Sequence, residues 1–302
     1  MYTRGIGRNA VILGVYVDDL IVTGSDPAEI MKFKTKMTTQ FEMSDLWLLS
    51  FYLGIEVDQQ LDFITIKQSS YAKKILSQFG MGDYNPAKIP MDPGIKLHQD
   101  KSGEPIDATK YRKMVGCLRY LLHTRLDLAY SVGMTSRFMK RPTIMHMRAI
   151  KQILRYLKGT IEMGLVYTQV GGEEVLVGYT DSDLSGDLVG RRSTGGMAFY
   201  LNGNLITWCS QKQKTVALSS CESEFMAATA AAMQAIWLRN LLSELTSAKG
   251  KVVALYVDNN SAIALMKNPM FHGRSKHIDI KYHFIRECIE REQIVAKRVG
   301  TA

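Results

Sequence analysis

The C-terminal part of the sequence, from residue 173 onward, contains strands and helices in an order that few folds share. The segment VLVGYTD is typical of a strand ending at Asp181, and GGMAFYLNGNLITWCS is typical of a hairpin turning at Asn202-Gly203. An Ala/Leu-rich helix (220–245), a strand ending at Asp258, two helices and a final strand follow. The order β-β-β-α-β-α-α-β predicts a mixed sheet flanked by helices, within the α+β or α/β fold classes.

Acidic residues fall at selected points of this predicted domain. Asp181 and Asp258 end predicted strands, where folds of this kind place chemistry. Ser219 and Glu222 fit the S-x-x-E capping box, which gives Glu222 a structural role. Glu224 instead heads an apolar helical stripe, where a buried acid is costly unless a cation lies beside it. The pattern predicts that Asp181, Glu224 and Asp258 converge.

Three such carboxylates are suited to holding two divalent ions roughly 3.5–4 Å apart, one activating a water and the other stabilising a leaving oxygen. Hard oxygen ligands favour Mg²⁺, or Mn²⁺, over Zn²⁺. The alternative is that these residues are solvated acids at strand ends and bind no metal.

The N-terminal part carries another acidic pair. The segment VILGVYVDDLIVTG predicts two strands joined by a turn at Asp18-Asp19, followed by a helix from Pro27 to about Gln40. Adjacent carboxylates repel unless a cation lies near them, so the pair is a candidate metal site. An ordinary turn is the alternative.

A connector and a basic helical segment follow. Four of the seven prolines lie between residues 85 and 105, which predicts an extended linker. From there to Gly172 the pattern is helical, and residues 110–158 hold twelve Lys/Arg but one acid, Asp127. Such a surface suits a phosphate backbone, with a merely solvated face as the alternative. The candidate substrate-binding cations on its last helix are Arg148, Lys151, Arg155 and Lys158.

Composition narrows the functional class further. The chain is 46% hydrophobic and 22% charged with a net charge of +9, which is typical of a globular protein. The four cysteines form no C-x-x-C pair, and no apolar run approaches the roughly 18 residues of a membrane span. We therefore expect no membrane partner and a location in the cytoplasm or nucleus.

The motifs resemble the pol polyprotein of Ty/copia-type long-terminal-repeat retrotransposons over essentially the whole chain. The first half is similar to the later part of a reverse transcriptase, through YVDDLIVTG, YLGIEV, QSSYAKKIL, VGCLRYLLHTRLDLAYSVGMTSRFM and ILRYLKGT. The second half is similar to the ribonuclease H domain, through YTDSDLSGD, RRSTGG, WCSQKQKTVALSSCESEFMA, YVDNNSAIAL and KHIDIKYHFIRE.

The resemblance implies a domain organisation. Residues 1–85 would be the C-terminal part of the reverse transcriptase palm, 86–105 a linker, 106–169 a thumb and connection segment, and 173–302 a ribonuclease H-like domain. It also implies that Asp18 and Asp19 belong to a polymerase metal site, and that Asp181, Glu224 and Asp258 are the ribonuclease H carboxylates.

Two departures from the family pattern qualify these expectations. Only ten residues precede the first strand of the hairpin, so the third palm aspartate is missing and we expect no polymerase activity from this chain alone. The fourth ribonuclease H carboxylate is also missing after the last strand, and Asp279 is a candidate substitute.

The resemblance leads to an expected function. We expect the chain to bind an RNA·DNA hybrid and to cut its RNA strand by two-metal hydrolysis. Hydroxyl and ammonium groups serve phosphate oxygens, so further substrate contacts are expected from Ser193, Thr194, Lys212 and Lys214. The alternative function is that of an inactive nucleic-acid-binding remnant of a retrotransposon, and loop solvation is the alternative role of these four residues.

Overall fold

The computed structural model describes residues 1–5, 10–267 and 279–299, with the backbone alone at 279 and 280. Its strands form three sheets, and the largest of them, with five strands, is packed against helices. Within these residues no helix combines the length and the apolar character that a membrane crossing requires. The combination of helices with antiparallel and mixed sheets confirms the predicted fold class.

The first sheet contains the acidic turn of the N-terminal hairpin. Its antiparallel strands are β1 (Tyr2–Arg4), β2 (Val11–Tyr16) and β3 (Asp19–Gly24). The turn consists of Val17 and Asp18, because Asp19 pairs with Tyr16 as the first residue of β3. The predicted turn at Asp18-Asp19 is therefore displaced by one residue. Helix α1 (Pro27–Gln40) follows, and the Asp26 side chain caps its N-terminus as Pro27 takes the first helical position.

The second sheet contains a strand that the sequence pattern missed. Its order is β4-β5-β6-β7, and the strands span Phe51–Tyr52, Ile55–Gln59, Phe63–Lys67 and Leu165–Thr168. Strand β7 pairs with β6, matching Thr168 to Phe63, although residues up to Gly172 were predicted to be helical. The helical prediction is wrong at β7, and the sheet joins segments about 100 residues apart in sequence.

A helical layer packs beside this sheet. Its helices are α2 (Ser69–Gln78), α3 (Ala108–Leu121), α4 (Ala129–Thr135) and α5 (Ile144–Gly159). Their apolar faces share one core, and the predicted stripe of α5 is completely buried within it at Ile150, Ile153, Leu154 and Leu157.

The proline-rich connector lies along α5. Arg155 Nε donates to the carbonyl of Asn85 at 2.8 Å, and Gln152 Nε2 donates to that of Ile89 at 3.1 Å. At the start of α5, the Thr143 N–H donates to His146 Nδ1 at 2.9 Å, and His146 Nε2 lies 3.0 Å from the carbonyl of His98. These bonds attach the connector to the helical layer.

The third sheet has the element order that the sequence predicted. Its strands are ordered β10-β9-β8-β11-β12 and span Asn204–Lys212, Thr194–Leu201, Leu176–Ser182, Val253–Val257 and Ile294–Arg298. The helices α6 (Ser220–Thr246), α7 (Asn260–Lys267) and α8 (Asp279–Glu290) share its core. Asn202 and Gly203 both have positive φ, of 49° and 79°, as a type I′ turn requires.

The His146 contacts predict that stability falls with acid. Nδ1 accepts a hydrogen bond, so the neutral ring is required, and burial lowers the pKa of His146 against the opposing effects of the His98 carbonyl and Asp100. A lowered pKa means that the folded state binds fewer protons. The neutral His146 ring therefore contributes its full stabilisation of the fold above the ordinary pKa of about 6.5, and this stabilisation is lost as the pH falls through the folded-state pKa.

The matched variant is His146→Gln, because Gln at this helical position completes a capping box without titrating. We compare the two chains by urea unfolding between pH 5 and 8. As the pH falls, we expect the free energy of unfolding of the unmutated chain to decrease relative to that of the variant by up to about 1.4 kcal/mol per pH unit. Parallel pH profiles for the two chains would contradict this role of His146.

Candidate functional site

The structure brings Asp181, Glu224 and Asp258 together at one edge of the third sheet. Asp181 lies near the end of β8, and Asp258 directly follows β11, the parallel neighbour in which Val257 pairs with Thr180. Glu224 lies in the second turn of α6, which packs across both strands. One carboxylate oxygen from each residue lies within 4.8 Å of the other two.

One backbone group orients two of these carboxylates. The Ser182 N–H donates to Asp181 Oδ1 at 2.8 Å and to Glu224 Oε1 at 2.9 Å. Two other oxygens, Glu224 Oε2 and Asp258 Oδ1, are buried without a hydrogen-bond partner among the described residues. Buried oxygens of this kind are costly unless a donor or a cation satisfies them.

The electrostatics of the cluster centre on Glu224, whose side chain is buried. Burial raises the pKa of Glu224 to about 8, and the neighbouring charges of Asp181 and Asp258 raise it further, while the Ser182 N–H opposes the shift. Without a cation, the cluster therefore retains a proton at neutral pH.

The donor chemistry fits a hard divalent cation. All three side chains offer carboxylate oxygens, the ligands that Mg²⁺ and Mn²⁺ prefer, whereas Zn²⁺ sites in proteins usually include His or Cys. Within residues 1–5, 10–267 and 279–299, this is the one group of three or more His, Cys, Asp or Glu side chains close enough to hold a metal ion.

Two neighbouring acids have structural roles. The Ser219 side chain accepts from the Glu222 N–H at 3.2 Å, and Glu222 Oε2 accepts from the Leu218 N–H at 2.9 Å, so Glu222 stabilises the start of α6. Asp183 Oδ1 accepts from the Thr194 N–H at 2.8 Å. Asp183 therefore holds the β8–β9 loop.

The four substrate contacts expected near this site have different surroundings. Ser193 is buried, and its hydroxyl accepts from the Ser185 N–H at 3.1 Å. Thr194 Oγ1 accepts from Arg137 Nη2 at 2.9 Å, and Lys212 Nζ pairs with Asp187 Oδ2 at 2.6 Å. Lys214 is exposed. Both hydroxyls are thus occupied by contacts within the chain.

The cations of α5 also divide into two pairs. Arg148 and Lys151 are exposed to solvent. Arg155 donates to the Asn85 carbonyl, and Lys158 donates to the carbonyls of Gly82 and Tyr84, the latter at 2.9 Å. Arg155 therefore anchors the start of the connector, and Lys158 anchors the residues just before it. Among the described residues, Arg148 and Lys151 have no ion pair or side-chain hydrogen bond.

The other predicted ligands lie apart from the cluster. Asp18 and Asp19 are exposed in the N-terminal hairpin and, in the part of the chain described, belong to no group of three metal-ligating side chains. Val17 before them has φ of 53°, a strained conformation for a β-branched residue. Asp279 begins α8, but its side chain lies outside the described residues.

Sequence reasoning missed Ser182, Arg137 and Asp187. Ser182 acts through its backbone N–H, which has no side-chain signature. Arg137 and Asp187 acquire their roles from contacts with Thr194 and Lys212, and the only signal along the chain is their charge.

Comparisons with known proteins agree with the resemblance. A family model described as reverse transcriptase (RNA-dependent DNA polymerase) matches residues 1–93. The chain is 36% identical to the retrovirus-related Pol polyprotein from transposon TNT 1-94 of Nicotiana tabacum, covering 99% of this chain and 23% of that protein. It is 30% identical to a transposon Ty5-1 protein of Saccharomyces cerevisiae, covering 78% of this chain and 77% of that one.

A solved structure supports the fold. The foamy viral protease-reverse transcriptase in complex with double-stranded DNA superposes with a TM-score of 0.58 at 15% identity, over 96% of this chain and 46% of that one. The chain spans 20–23% of the length of the plant Pol polyproteins that it matches. On these similarities, the chain belongs to the retrovirus-related Pol polyproteins of transposons.

Proposed function

We propose that this chain binds an RNA·DNA hybrid and hydrolyses its RNA strand at Asp181, Glu224 and Asp258, with two Mg²⁺ ions and with Mn²⁺ as a substitute. The observation that carries the proposal is the convergence of the three carboxylates within 4.8 Å, with two buried oxygens unsatisfied by the described residues. Structural ion-pair networks contain cations of their own, and none of the three acids has an ion pair among the described residues.

The residues have distinct tasks in this proposal. When bound, the ions supply Lewis acidity and an activated water. Asp181 is exposed and would meet the phosphodiester first, whereas Asp258 is half-buried and Glu224 is buried, so these two would hold the inner side of the site. The Ser182 N–H fixes Glu224 Oε1, so Glu224 Oε2 remains available to bind or position the attacking water.

Nucleic-acid binding is supported by the fold relative and by charge. The foamy viral enzyme was solved with double-stranded DNA, and its fold matches nearly the whole of this chain. Residues 110–158 carry twelve cations, of which Arg148 and Lys151 are exposed on α5. The domain assignments 1–85, 86–105, 106–169 and 173–302 are part of the proposal, as is the substrate-contact role of Lys214.

A second candidate function is hybrid binding without turnover. The observation that favours it is the state of the acidic pair Asp18 and Asp19, which is exposed and lacks a third ligand in the described part of the chain. We propose no nucleotide-adding activity for that pair. A chain without polymerase activity can also lack the hydrolytic activity, and hybrid binding would then be its function.

The first test is cleavage of a labelled RNA·DNA duplex in Mg²⁺ by the unmutated chain and by Asp258→Asn. We expect metal-dependent cleavage of the RNA strand and a fall in rate of at least about 100-fold in the variant, because it loses a metal ligand. The matched control is Asp62→Asn, an exposed acid in the β5–β6 turn, which should cleave normally. Failure of the unmutated chain to cleave a hybrid that it binds would refute catalysis and favour the second function.

The second test is the thermal stability of Glu224→Gln. The raised pKa means that ionising Glu224 destabilises the metal-free fold, with no effect below its ordinary pKa of 4.5 and the full effect above about pH 8. At pH 8.5 without metal, we expect the variant to melt about 2–4 °C higher, on the order of 1 kcal/mol. Gln retains the acceptor for Ser182, so that contact is preserved.

Adding Mg²⁺ should reverse the order of the two melting temperatures. The unmutated chain should gain stability from binding the ion, whereas the variant should gain little because it lacks one ligand. Equal gains in the two chains would show that Mg²⁺ acts elsewhere and would contradict the assigned site.

A further inference from the structure

A cleft separates the helical layer from the edge of the third sheet. Its volume is about 560 Å³, and its walls come from α3, α4 and the edge strand β10. Gly133 of α4 lies against β10, where a Cβ would make an ordinary 3.5 Å contact with the Ser210 carbonyl oxygen. We call this space the helix–sheet cleft.

The lining of the helix–sheet cleft is cationic. Arg119, Arg137 and Lys212 line it, together with His123, and its described lining contains no Asp or Glu. Asp187 neutralises Lys212 through the 2.6 Å ion pair, but Arg119 makes no ion pair or side-chain hydrogen bond within the described residues. Trp208 and Ile206 add apolar surface from β10. The cleft therefore presents guanidinium groups beside an apolar wall.

Arg137 is incompletely satisfied in this setting. Its Nη2 donates to Thr194 Oγ1, whereas its Nη1 is buried and has no hydrogen-bond partner in the described part of the chain. A guanidinium offers a planar pair of donors that matches the oxygens of a phosphate group. Arg137 lines the cleft, but the charges of Asp187 and Asp183 act on its guanidinium. Arg119 has no ion pair or side-chain hydrogen bond within the described residues, so it is the more available cation for an anion that enters the cleft.

The strand register places this cleft close to the carboxylate cluster. Ser210 of the cleft pairs with Gly196, and Gly196 pairs with Asp181. Two strand spacings separate β10 from β8, which is about 10 Å. Phosphates along one strand rise about 3.4 Å per nucleotide, so the cleft lies within about three nucleotides of a phosphodiester held at Asp181.

We propose that the helix–sheet cleft binds a backbone phosphate of the nucleic acid, with Arg137 and Arg119 as its anion-binding residues. This inference rests on the proposed function and adds a second contact that positions the strand relative to the carboxylates. The shared ligand chemistry is a phosphate group, carried either by a strand or by a free anion.

The test measures binding without cleavage. A fluorescein-labelled RNA·DNA hybrid is titrated in EDTA with the unmutated chain, Arg137→Gln and Arg119→Gln, at several salt concentrations. Each variant should bind about tenfold more weakly, and its slope of log K against log salt should fall by about one, as expected for one lost phosphate contact. The control, Lys249→Gln, makes the same charge change between α6 and β11, and it should bind normally with an unchanged slope.

Single methylphosphonate substitutions along each strand of the hybrid then locate the contact. The unmutated chain should lose affinity at one phosphate, and Arg137→Gln should be insensitive at that phosphate. Thermal melts check the fold, and if Arg137→Gln is unfolded, the same comparison with Arg119→Gln decides.

The outcomes separate this inference from the proposed function. If both cleft variants bind the hybrid as tightly as Lys249→Gln does, the cleft assignment is overturned and the proposed function is not. The same conclusion follows if all the chains lose affinity at the same methylphosphonate positions. Inorganic phosphate could raise the melting temperature of the unmutated chain but not that of Arg137→Gln, while no methylphosphonate position weakens binding. That result would assign the cleft to a free anion and overturn the proposed contact with the strand. Absence of hybrid binding by every chain would reject the proposed function as well.

Discussion

Mutual repulsion among three carboxylates is the constraint on which the candidate site depends, because the packing of α6 on the third sheet must hold them together against it. Small residues permit that packing. A Cβ at Gly195 would lie 3.2 Å from the Ala227 Cβ of α6, and Gly178 leaves room for the Phe199 ring, which lies in the core shared with α6. The helix can therefore lie close to the sheet with its alanine stripe fully buried, and Glu224 comes within reach of both strand ends. Burial of this apolar surface offsets the electrostatic cost of the cluster.

The features that sequence predicted best have local causes. The type I′ turn depends on two adjacent residues that tolerate positive φ, and α6 begins at a Ser219 cap. Strand β7 was missed because it has four residues, too few to separate strand from helical periodicity, and its partner β6 lies far away in sequence. The hairpin turn was displaced because Val17 adopts a left-handed conformation that β-branched residues avoid.

The candidate site was partly predictable for the same reason. Asp181 and Asp258 were found from strand ends, and Glu224 from an apolar stripe, which are patterns within single elements. The helix–sheet cleft arises from the packing of α4 against β10, and neither element alone indicates that Arg137 meets Thr194. Likewise, the cations of α5 looked equivalent along the helix. Only the path of the connector distinguishes them: its Asn85 carbonyl accepts a hydrogen bond from Arg155, whereas Arg148 stays exposed to solvent.

The two acidic sites of the chain differ in their packing more than in their residues. In the N-terminal sheet and α1, Val11 is the one buried residue among those described, so Asp18 and Asp19 lie on a hairpin with little core beneath it. Carboxylates in that setting can move apart or remain solvated. Their repulsion therefore costs little, and no cation is needed to offset it. At the second site Asp181 is exposed, but Glu224 is buried and Asp258 is half-buried, and one oxygen of each of these two is unsatisfied by the described residues. A cation would relieve the second arrangement far more than the first, and for this reason the proposed metal-dependent chemistry is placed on the third sheet.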